Sequence, residues 1–401
     1  HVMNITDVGH LTTDDDSGED KFDRQAKATG RAPLEIASFY EDAFWKDAAK
    51  LNILRPSIVC RATEHIAEMI DLVRRIEANG FAYRTQVGLI FDTARYPDYW
   101  RLGRLNLEAQ RAGSRVDVDP ERRQPWDFAL WITNQPNHLM QWDSPWGRGF
   151  PGWHLECSAM SMKYLGEEFD IHTGGIDHIP IHHTNERAQN YAATGREVVR
   201  YWMHNAFLQL GYRRMGKSEG NLVTLSELEQ RGFEPMAFRY LCHTAVYRMP
   251  LSFTDEAMNS AQESYRRLVD FVRVAREWGV EKDENWTYPA RHRFWMAIED
   301  DLNMPQALAV VWDTVHEGNR RQDRRALEAV IDFDRVLGFG LADVMQSPPE
   351  IPEHVRQLAG LRQAARRERN WIESDRLRAQ IERLGYSIED TKEGWRLKKK
   401  S

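Results

Sequence analysis

Histidine, cysteine and carboxylate side chains are concentrated in one segment of this sequence. Six of the 14 histidines fall between residues 154 and 204. His182 and Glu186 are four residues apart on a predicted helix, so their side chains share one face. Imidazole and carboxylate groups bind zinc, as does the thiolate of Cys157 upstream. These three residues are candidate zinc ligands; a surface hydrogen bond and a buried apolar thiol are the alternatives.

Two glycines of the same segment stand where a backbone could approach a ligand. Gly174 and Gly175 follow the predicted strand 169–173 and precede a predicted helix. Glycine allows close approach, and the N-terminus of a helix favours anions. Asp177 could accept hydrogen bonds from ribose hydroxyls. The pattern is not the GxGxxG fingerprint of dinucleotide sites, so an ordinary turn between strand and helix is the alternative.

A basic loop follows further along the chain. Residues Arg214-Met215-Gly216-Lys217-Ser218 lie between a predicted strand and a helix that begins with the capping sequence Thr224–Glu227. The Lys217 ammonium could reach a phosphate chain and neutralise the charge that develops on a leaving pyrophosphate. A basic surface loop without a ligand is the alternative.

The order of the predicted elements indicates an α/β fold followed by helices. From residue 150 the sequence alternates helix and strand, which is typical of a parallel sheet. One helix ends at Gly166, and another covers 180–195. After about residue 255 the apolar residues recur with the period of helices, which indicates a bundle.

Before residue 150 the pattern is more varied. A short strand is predicted for VMNIT near the N-terminus, and a helix for 33–53. A second helix is predicted over 63–79 with Thr63 as its N-cap, followed by a hairpin over 81–96.

Composition limits the possible classes of protein. The 401 residues, with a net charge of −7 and 42% hydrophobic residues, predict two to four domains with apolar cores. No run of about 18 apolar residues occurs, so we expect no membrane span. Three cysteines are too few for a disulfide framework, which favours a reducing cytoplasm. Residues 361–401 carry twelve Lys and Arg against seven Asp and Glu, which suggests a polyanionic partner or a solvated helix face.

Several segments together resemble one family. The chain is similar to the cysteinyl-tRNA synthetases, which are class I aminoacyl-tRNA synthetases. The similar segments occur in the family's order and reach nearly the whole chain: NITD (4–7), RATEHI (61–66), SPWGRGFPGWHLECSAMS (144–161), FDIHTGGIDHIPIHHTNERAQ (169–189), YWMHN (201–205), RMGKSEGN (214–221), DDLNMPQALAV (300–310) and LGYSIEDTKEGWRL (384–397).

The resemblance implies roles for particular residues. Three of them match zinc ligands: Cys157, His182 and Glu186. In this family the zinc binds the thiolate of the substrate cysteine, which excludes serine without an editing site. The family's residues around the bound amino acid are matched by Thr6, Trp153 and His172. Its adenosine-facing loop is matched by Gly174, Gly175 and Asp177, and its mobile loop lysine, the catalytic residue, by Lys217.

The resemblance also implies the domain organisation. The fold class is α/β, with a Rossmann-like parallel sheet, an inserted connective domain, a helical bundle and a small C-terminal anticodon-binding domain. The implied boundaries are 1–32 for the remnant of the first Rossmann half, 33–142 for the connective domain, 143–205 for the second Rossmann half with the zinc and nucleotide site, 206–254 for the KMSKS-type loop and linking fold, 255–346 for the bundle and 347–401 for the anticodon-binding domain.

The sequence departs from the family's pattern in two places. The family begins with a strand, a loop with the HIGH motif and a helix, a segment that also supplies a fourth zinc ligand. No HIGH tetrapeptide occurs here, and NITD stands already at residues 4–7. We expect that the segment was left out or cleaved, because the retained sheet would otherwise expose an edge. The RMGKS loop differs from KMSKS at Arg214 and Gly216.

The resemblance implies a cytoplasmic, monomeric cysteine–tRNA ligase. It would activate L-cysteine with ATP and Mg²⁺ and transfer it to tRNA(Cys), with one zinc ion as cofactor. Two alternatives stay open at this point. One is a non-catalytic zinc- and tRNA-binding module, since the HIGH segment is absent. The other is a cysteine ligase that acts on an amino sugar in thiol biosynthesis.

Overall fold

The computed structural model divides the chain into two compact units, residues 1–260 and 261–401. None of the helices it describes combines the length and apolar character that crossing a bilayer requires. The described residues are 1–9, 21–103, 121–136, 138–211, 213–214, 222–280, 286–346, 353–391 and 394–399.

The first unit contains parallel and antiparallel strands. Two parallel pairs are formed by β1 with β2 and by β7 with β8, while β3, β4, β5 and β6 form an antiparallel sheet in that order. β9 lies between β10 and β11 in a mixed sheet, antiparallel to β10 and parallel to β11. The strands are β1 Val2–Ile5, β2 Ile58–Arg61, β3 Ala82–Arg84, β4 Gly88–Phe91, β5 Phe128–Ile132, β6 Phe150–Pro151, β7 Phe169–Gly175, β8 Val199–Asn205, β9 Leu208–Leu210, β10 Arg213–Arg214 and β11 Leu251–Phe253.

Helices of the first unit pack on these strands. Buried apolar side chains of β4, β5, α3, α4 and α5 form its main core. The helices are α1 Lys21–Thr29, α2 Pro33–Lys50, α3 Ile66–Ala78, α4 Trp153–Leu165, α5 His182–Thr194, α6 Leu225–Gln230 and α7 Pro235–His243. The next helix, α8 Asp255–Ala275, begins in the first unit and has most of its residues in the second.

The β7–α5–β8 segment is a parallel β–α–β unit. β7 and β8 pair in register, with His172 opposite Trp202 and Gly175 opposite Asn205. Parallel neighbours need such a crossover connection, here α5. α5 begins at His182, two residues after the predicted start, and ends where Gly195 adopts a left-handed conformation with φ of 75°. The crossover places the first turns of α5 beside the carboxyl end of β7.

The second unit begins with a helical bundle. Its helices bury apolar faces against one another, with the rings of Phe294 and Phe333 stacked at a centroid distance of 4.2 Å. Both of these phenylalanines are fully buried. After α8, the helices are α9 Tyr288–Glu299, α10 Met304–Arg321, α11 Arg325–Leu337 and α12 Leu341–Gln346.

The chain ends in two helices and an antiparallel hairpin. α13 (Glu353–Arg367) and α14 (Trp371–Arg383) are followed by β12 (Tyr386–Thr391) and β13 (Gly394–Lys399). A small apolar cluster lies between helices and hairpin, and the nearly buried Arg362 binds Asp390 at 2.8 and 3.1 Å. An ion pair as well as apolar contacts therefore holds the hairpin against α13.

The prediction that Thr63 caps the helix over 63–79 is wrong. Residues 62–65 form a 3-10 turn, and α3 begins at Ile66 with His65 as its N-cap residue. Thr63 instead donates from its backbone N–H and its hydroxyl to the Asp7 carboxylate, at 2.9 and 2.6 Å. Asp7 is buried directly after β1, so it needs these donors. A tertiary contact has therefore replaced the local cap.

Candidate metal and substrate site

Two neighbouring helices bring the three predicted zinc ligands together. α4 starts after Gly152 and carries Cys157 in its second turn. α5 carries His182 as its first residue and Glu186 one turn later. One donor atom of each of these three side chains lies within 4.8 Å of the others, and the His182 Nε2 to Glu186 Oε1 distance is 3.1 Å. The i, i+4 spacing thus produced the shared face that the sequence predicted.

Glu186 is a fully buried carboxylate at the centre of this cluster. Burial alone would raise its pKa, but the charges of His172 and His182 hold the pKa of Glu186 well below its usual range. Within the described part of the chain, neither of its oxygens accepts a hydrogen bond of normal geometry. A buried carboxylate of this kind is costly unless a cation or donor compensates it.

The Cys157 thiol faces the same carboxylate. Burial raises the pKa of this thiol well above its ordinary value, and the nearby Glu186 and Glu156 carboxyl groups add to the rise. The Asn4 amide donates to Cys157 Sγ over 3.5 Å. A partly buried thiol this close to a fully buried carboxylate forms, with it, a donor set that a divalent cation would stabilise. The donor chemistry therefore fits zinc.

Aromatic and histidine rings surround the three candidate ligands. The His154 and His182 Nδ1 atoms are 2.9 Å apart, so one of these rings donates to the other. The Trp153 ring lies over His182 at a centroid distance of 4.2 Å. If His182 offers Nε2 to a cation, its Nδ1–H must donate to His154, which fixes the tautomer and orientation of His182.

A second group of candidate donors shares Glu186 with the first. His172 on β7, His183 on α5 and Glu186 each place one donor atom within 4.8 Å of the others. His172 Nε2 is 3.4 Å from Glu186 Oε2. The His183 Nδ1 and His204 Nε2 atoms are 2.8 Å apart. Burial lowers the pKa of His183 to about 3, which leaves it neutral at physiological pH.

The glycine pair ends β7 next to these rings. A Cβ at Gly174 would lie 2.6 Å from His183 Cε1 and 2.8 Å from His178 Nδ1. A Cβ at Gly175 would lie 2.3 Å from Asp177 Oδ1. A side chain at either position would therefore meet imidazole rings or a carboxylate of the chain itself, while close approach of a ligand to this backbone stays a prediction. Asp177 itself is exposed to solvent.

The predicted site residues differ in where the structure places them. It brings Trp153, Cys157, His172, His182 and Glu186 into one cluster. Thr6 lies directly after β1, two residues beyond Asn4. Lys217 lies outside the described residues.

Sequence reasoning missed the residues that support the cluster. Asn4, His154 and His204 contact candidate ligands or their neighbours, yet none was named as a site residue. The histidine count between 154 and 204 pointed to two of them. For Asn4 the only signal was the NITD segment itself, which lies 153 positions from Cys157.

Buried polar contacts hold α5 in place. The Tyr99 hydroxyl donates to Asn185 Oδ1, and both groups are buried. Arg187 pairs with Glu197 and donates to the Asp98 carbonyl at 2.7 Å. These contacts fall on the residues on either side of Glu186, so they fix the rotation of the helix that presents it.

Known families match along most of the chain. The tRNA synthetases class I (C) catalytic domain matches residues 1–263. The DALR domain matches 293–342, and the cysteinyl-tRNA ligase anticodon binding domain matches 348–396. Cysteine–tRNA ligase 1 of Burkholderia lata is 47% identical over 401 residues, which cover 99% of this chain and 83% of that protein. The chain belongs to the cysteinyl-tRNA synthetase family.

A second curated relative and a solved structure extend the comparison. The cysteine–tRNA ligase of Thermus thermophilus is 42% identical over 420 residues, with 99% of this chain and 87% of that protein covered. The crystal structure of Mycobacterium tuberculosis methionyl-tRNA synthetase bound by methionyl-adenylate matches with a TM-score of 0.58 at 15% identity, over 81% of this chain and 84% of that chain. At that identity the likeness shows the fold alone, and with the matched domains it confirms the predicted α/β fold class.

Proposed function

We propose that this protein is a cysteine–tRNA ligase. The L-cysteine carboxylate attacks the α-phosphorus of ATP, which releases pyrophosphate and leaves cysteinyl-adenylate. The terminal ribose hydroxyl of tRNA(Cys) then takes the cysteinyl group and AMP leaves. The observation that carries the proposal is the convergence of Cys157, His182 and Glu186 in a chain of this family.

Cys157, His182 and Glu186 would hold one zinc ion. A bound zinc supplies a Lewis acid that binds the substrate as a thiolate. Around it, Asn4 donates to the Cys157 sulfur and His154 fixes the orientation of His182. The Glu186 carboxylate supports a cation at this place, because it is fully buried and neither oxygen accepts a hydrogen bond of normal geometry from the described residues.

The same groups explain a preference for cysteine over serine. Sulfur is a much better ligand for zinc than a neutral hydroxyl is, so serine would leave the position beside Cys157 and Glu186 poorly filled. A site built around one substrate group rejects an analogue that lacks it far more strongly than an apolar pocket does. Trp153, His172 and Thr6 are the proposed walls of the amino-acid pocket, and Trp153 already lies against His182.

ATP is proposed to bind along the carboxyl end of β7. The glycine backbone at 174 and 175 would permit close approach of the nucleotide, and the Asp177 carboxylate, which is exposed to solvent, would accept from ribose hydroxyls. Lys217 is the proposed catalytic residue, which would neutralise charge on the leaving pyrophosphate together with Mg²⁺. Activation of this kind depends on positioning and charge, so it needs no side-chain nucleophile.

The C-terminal residues are proposed to bind the anticodon end of tRNA. The match to an anticodon binding domain over 348–396 supports this assignment. The excess of Lys and Arg in 361–401 predicts phosphate contacts and a strong dependence of binding on salt. This domain favours tRNA over an amino sugar as acceptor. We propose in addition that the protein is monomeric and cytoplasmic; its three cysteines are free thiols.

Amino-acid binding tests the proposal directly. Calorimetry of the zinc-loaded full chain should show L-cysteine binding more than about 100-fold more tightly than L-serine. Removal of zinc with a chelator, or Cys157→Ser, should abolish this preference, while Cys242→Ser serves as the matched control. Cysteine-dependent ATP–pyrophosphate exchange and charging of tRNA should follow the same order. Equal binding of cysteine and serine, or a preference that persists without zinc, would contradict the proposal.

A further inference from the structure

The two oxygens of Glu186 face different histidines. Oε1 lies 3.1 Å from His182 Nε2, on the side of the proposed zinc site. Oε2 lies 3.4 Å from His172 Nε2. Tetrahedral coordination at zinc–nitrogen and zinc–oxygen bond lengths of about 2.1 Å places neighbouring ligand atoms about 3.4 Å apart. The His172–Glu186 pair therefore already has the separation that two ligands of one ion require.

His183 completes a second set of three donors. Its Nε2 lies 3.9 Å from Glu186 Oε1, and one donor atom from each of His172, His183 and Glu186 falls within a 4.8 Å sphere of the others. Its Nδ1 is 2.8 Å from His204 Nε2. When Nδ1–H donates to His204, the lone pair of His183 Nε2 is left to point at a cation, which is the usual outer support of a metal-binding histidine.

The shared carboxylate is the second observation that points to an ion. Glu186 is fully buried, and within the described residues neither oxygen accepts a hydrogen bond. A single ion bound through Oε1 would leave Oε2 with the 3.4 Å contact to His172 Nε2 alone. A carboxylate that bridges two ions satisfies both oxygens, and bridged ions about 3.5 to 4 Å apart are common in enzymes.

We propose that His172, His183 and Glu186 form a second, weaker site for divalent zinc. It rests on the proposed function in one respect, since Glu186 is shared with the site at Cys157 and His182. The second site has two imidazoles and no thiolate, and the first ion repels the second, so its affinity is lower. His172 is also a proposed wall of the cysteine pocket. Excess zinc should therefore inhibit the protein by competing with L-cysteine.

Metal titration separates the two sites. The metal-free full chain is titrated with ZnCl₂ by calorimetry, and with CoCl₂ by visible absorption, in which a sulfur ligand gives a charge-transfer band. We expect two ions per chain, one tight and one weak. Cys157→Ser should lose the tight ion and the sulfur band, and keep the weak ion. His183→Gln should lose the weak ion and keep the tight one. His316→Gln, in the second unit, is the control for adventitious histidine binding.

A second variant keeps the test open if His183→Gln fails to fold. His204→Leu leaves all three donors in place and should weaken the second ion by about 10- to 100-fold through loss of the acceptor for His183 Nδ1–H. One ion per chain at saturating zinc, or a second ion that persists in both variants, would overturn the second site. If the unchanged chain binds no tight ion, or the tight ion persists in Cys157→Ser, the proposed function fails instead, and the two failures are therefore distinct.

Discussion

Two helices of equal length bury their residues for different reasons. α5 and α11 each have 13 residues, and most of each helix is buried. α11 buries mainly Ala, Leu, Val and Phe, with Phe333 at its centre. α5 buries His182, His183 and Glu186 together with Asn185, Arg187 and other polar residues. Burial of apolar side chains stabilises α11, whereas burial destabilises α5 for every polar group that lacks a partner.

The difference between the two helices lies in how their buried side chains are stabilised. A buried polar helix is stable only when partners satisfy its side chains, and α5 receives them from Tyr99, Glu197, His154 and His204. Among the described α5 side chains, both Glu186 oxygens, Gln189 Nε2 and Asn190 Oδ1 have no hydrogen bond of normal geometry, and of these groups only Glu186 is a carboxylate. We expect that substitutions in α11 act on stability and that substitutions in α5 act on ligand binding.

The largest effect is expected from α11. Phe333→Ala removes a fully buried ring that stacks on Phe294, so the free energy of unfolding should fall by about 3 to 5 kcal/mol. The zinc content per folded chain should not change. Urea denaturation and metal analysis measure both quantities, with the exposed Glu328→Ala on the same helix as control. A loss of zinc from the folded Phe333→Ala protein would contradict the expectation that α11 affects stability and not ligand binding.

Glu186→Gln should show the opposite behaviour. The neutral amide removes the buried charge that is proposed to bind zinc, so zinc affinity should fall by more than about 100-fold. The unfolding free energy of the zinc-free protein should change less than in Phe333→Ala, because the shape is retained. Competition with a zinc indicator dye and denaturation of the chelator-treated protein check these outcomes. Unchanged zinc affinity in this variant would remove Glu186 from the site.

Tyr99→Phe tests the support of α5. The change leaves Asn185 Oδ1 buried without its donor, which should cost about 1 to 3 kcal/mol of stability. Because the rotation of α5 is then less fixed, zinc affinity should also fall, in contrast to Phe333→Ala. Tyr288→Phe, at an exposed tyrosine, is the control and should change neither quantity. Loss of stability without any change in zinc affinity would limit Tyr99 to a structural role.

The smallest effect is expected at a helix cap. Thr224 accepts from the Glu227 N–H at 3.2 Å, and the Glu227 carboxylate accepts from the Thr224 N–H at 2.7 Å. Thr224→Ala should destabilise α6 by about 1 kcal/mol. Hydrogen exchange of the α6 amides measures the change, and Ser226→Ala is the matched control. A global loss of stability as large as that of Phe333→Ala would contradict a local capping role.

Local signals in the sequence predicted several elements correctly. The capping sequence at Thr224 and Glu227 starts α6 as expected, and Gly166 ends α4. The alternating segment 81–96 forms the hairpin of β3 and β4. The i, i+4 pair on α5 shares a face. Each of these signals acts within a few residues, so no tertiary contact was needed to read it.

Contacts between distant residues could not be read in the same way. Thr63 looked like a helix cap, but its hydroxyl binds Asp7 from β1. The Asn4–Cys157 contact and the two histidine pairs arise only when β1, β7, α4 and α5 pack together. The candidate ligands were therefore predictable from spacing and resemblance, whereas their supporting residues depended on the tertiary fold.

Zinc K-edge X-ray absorption of the zinc-loaded chain tests the central claim most directly. The proposal predicts zinc–sulfur scattering at about 2.3 Å that disappears in Cys157→Ser, with nitrogen and oxygen ligands at about 2.0 to 2.2 Å. Added L-cysteine should raise the number of sulfur ligands by one, and added L-serine should leave it unchanged. A spectrum without sulfur from Cys157, or one that L-cysteine does not alter, would contradict selection of the amino acid by its sulfur at this site.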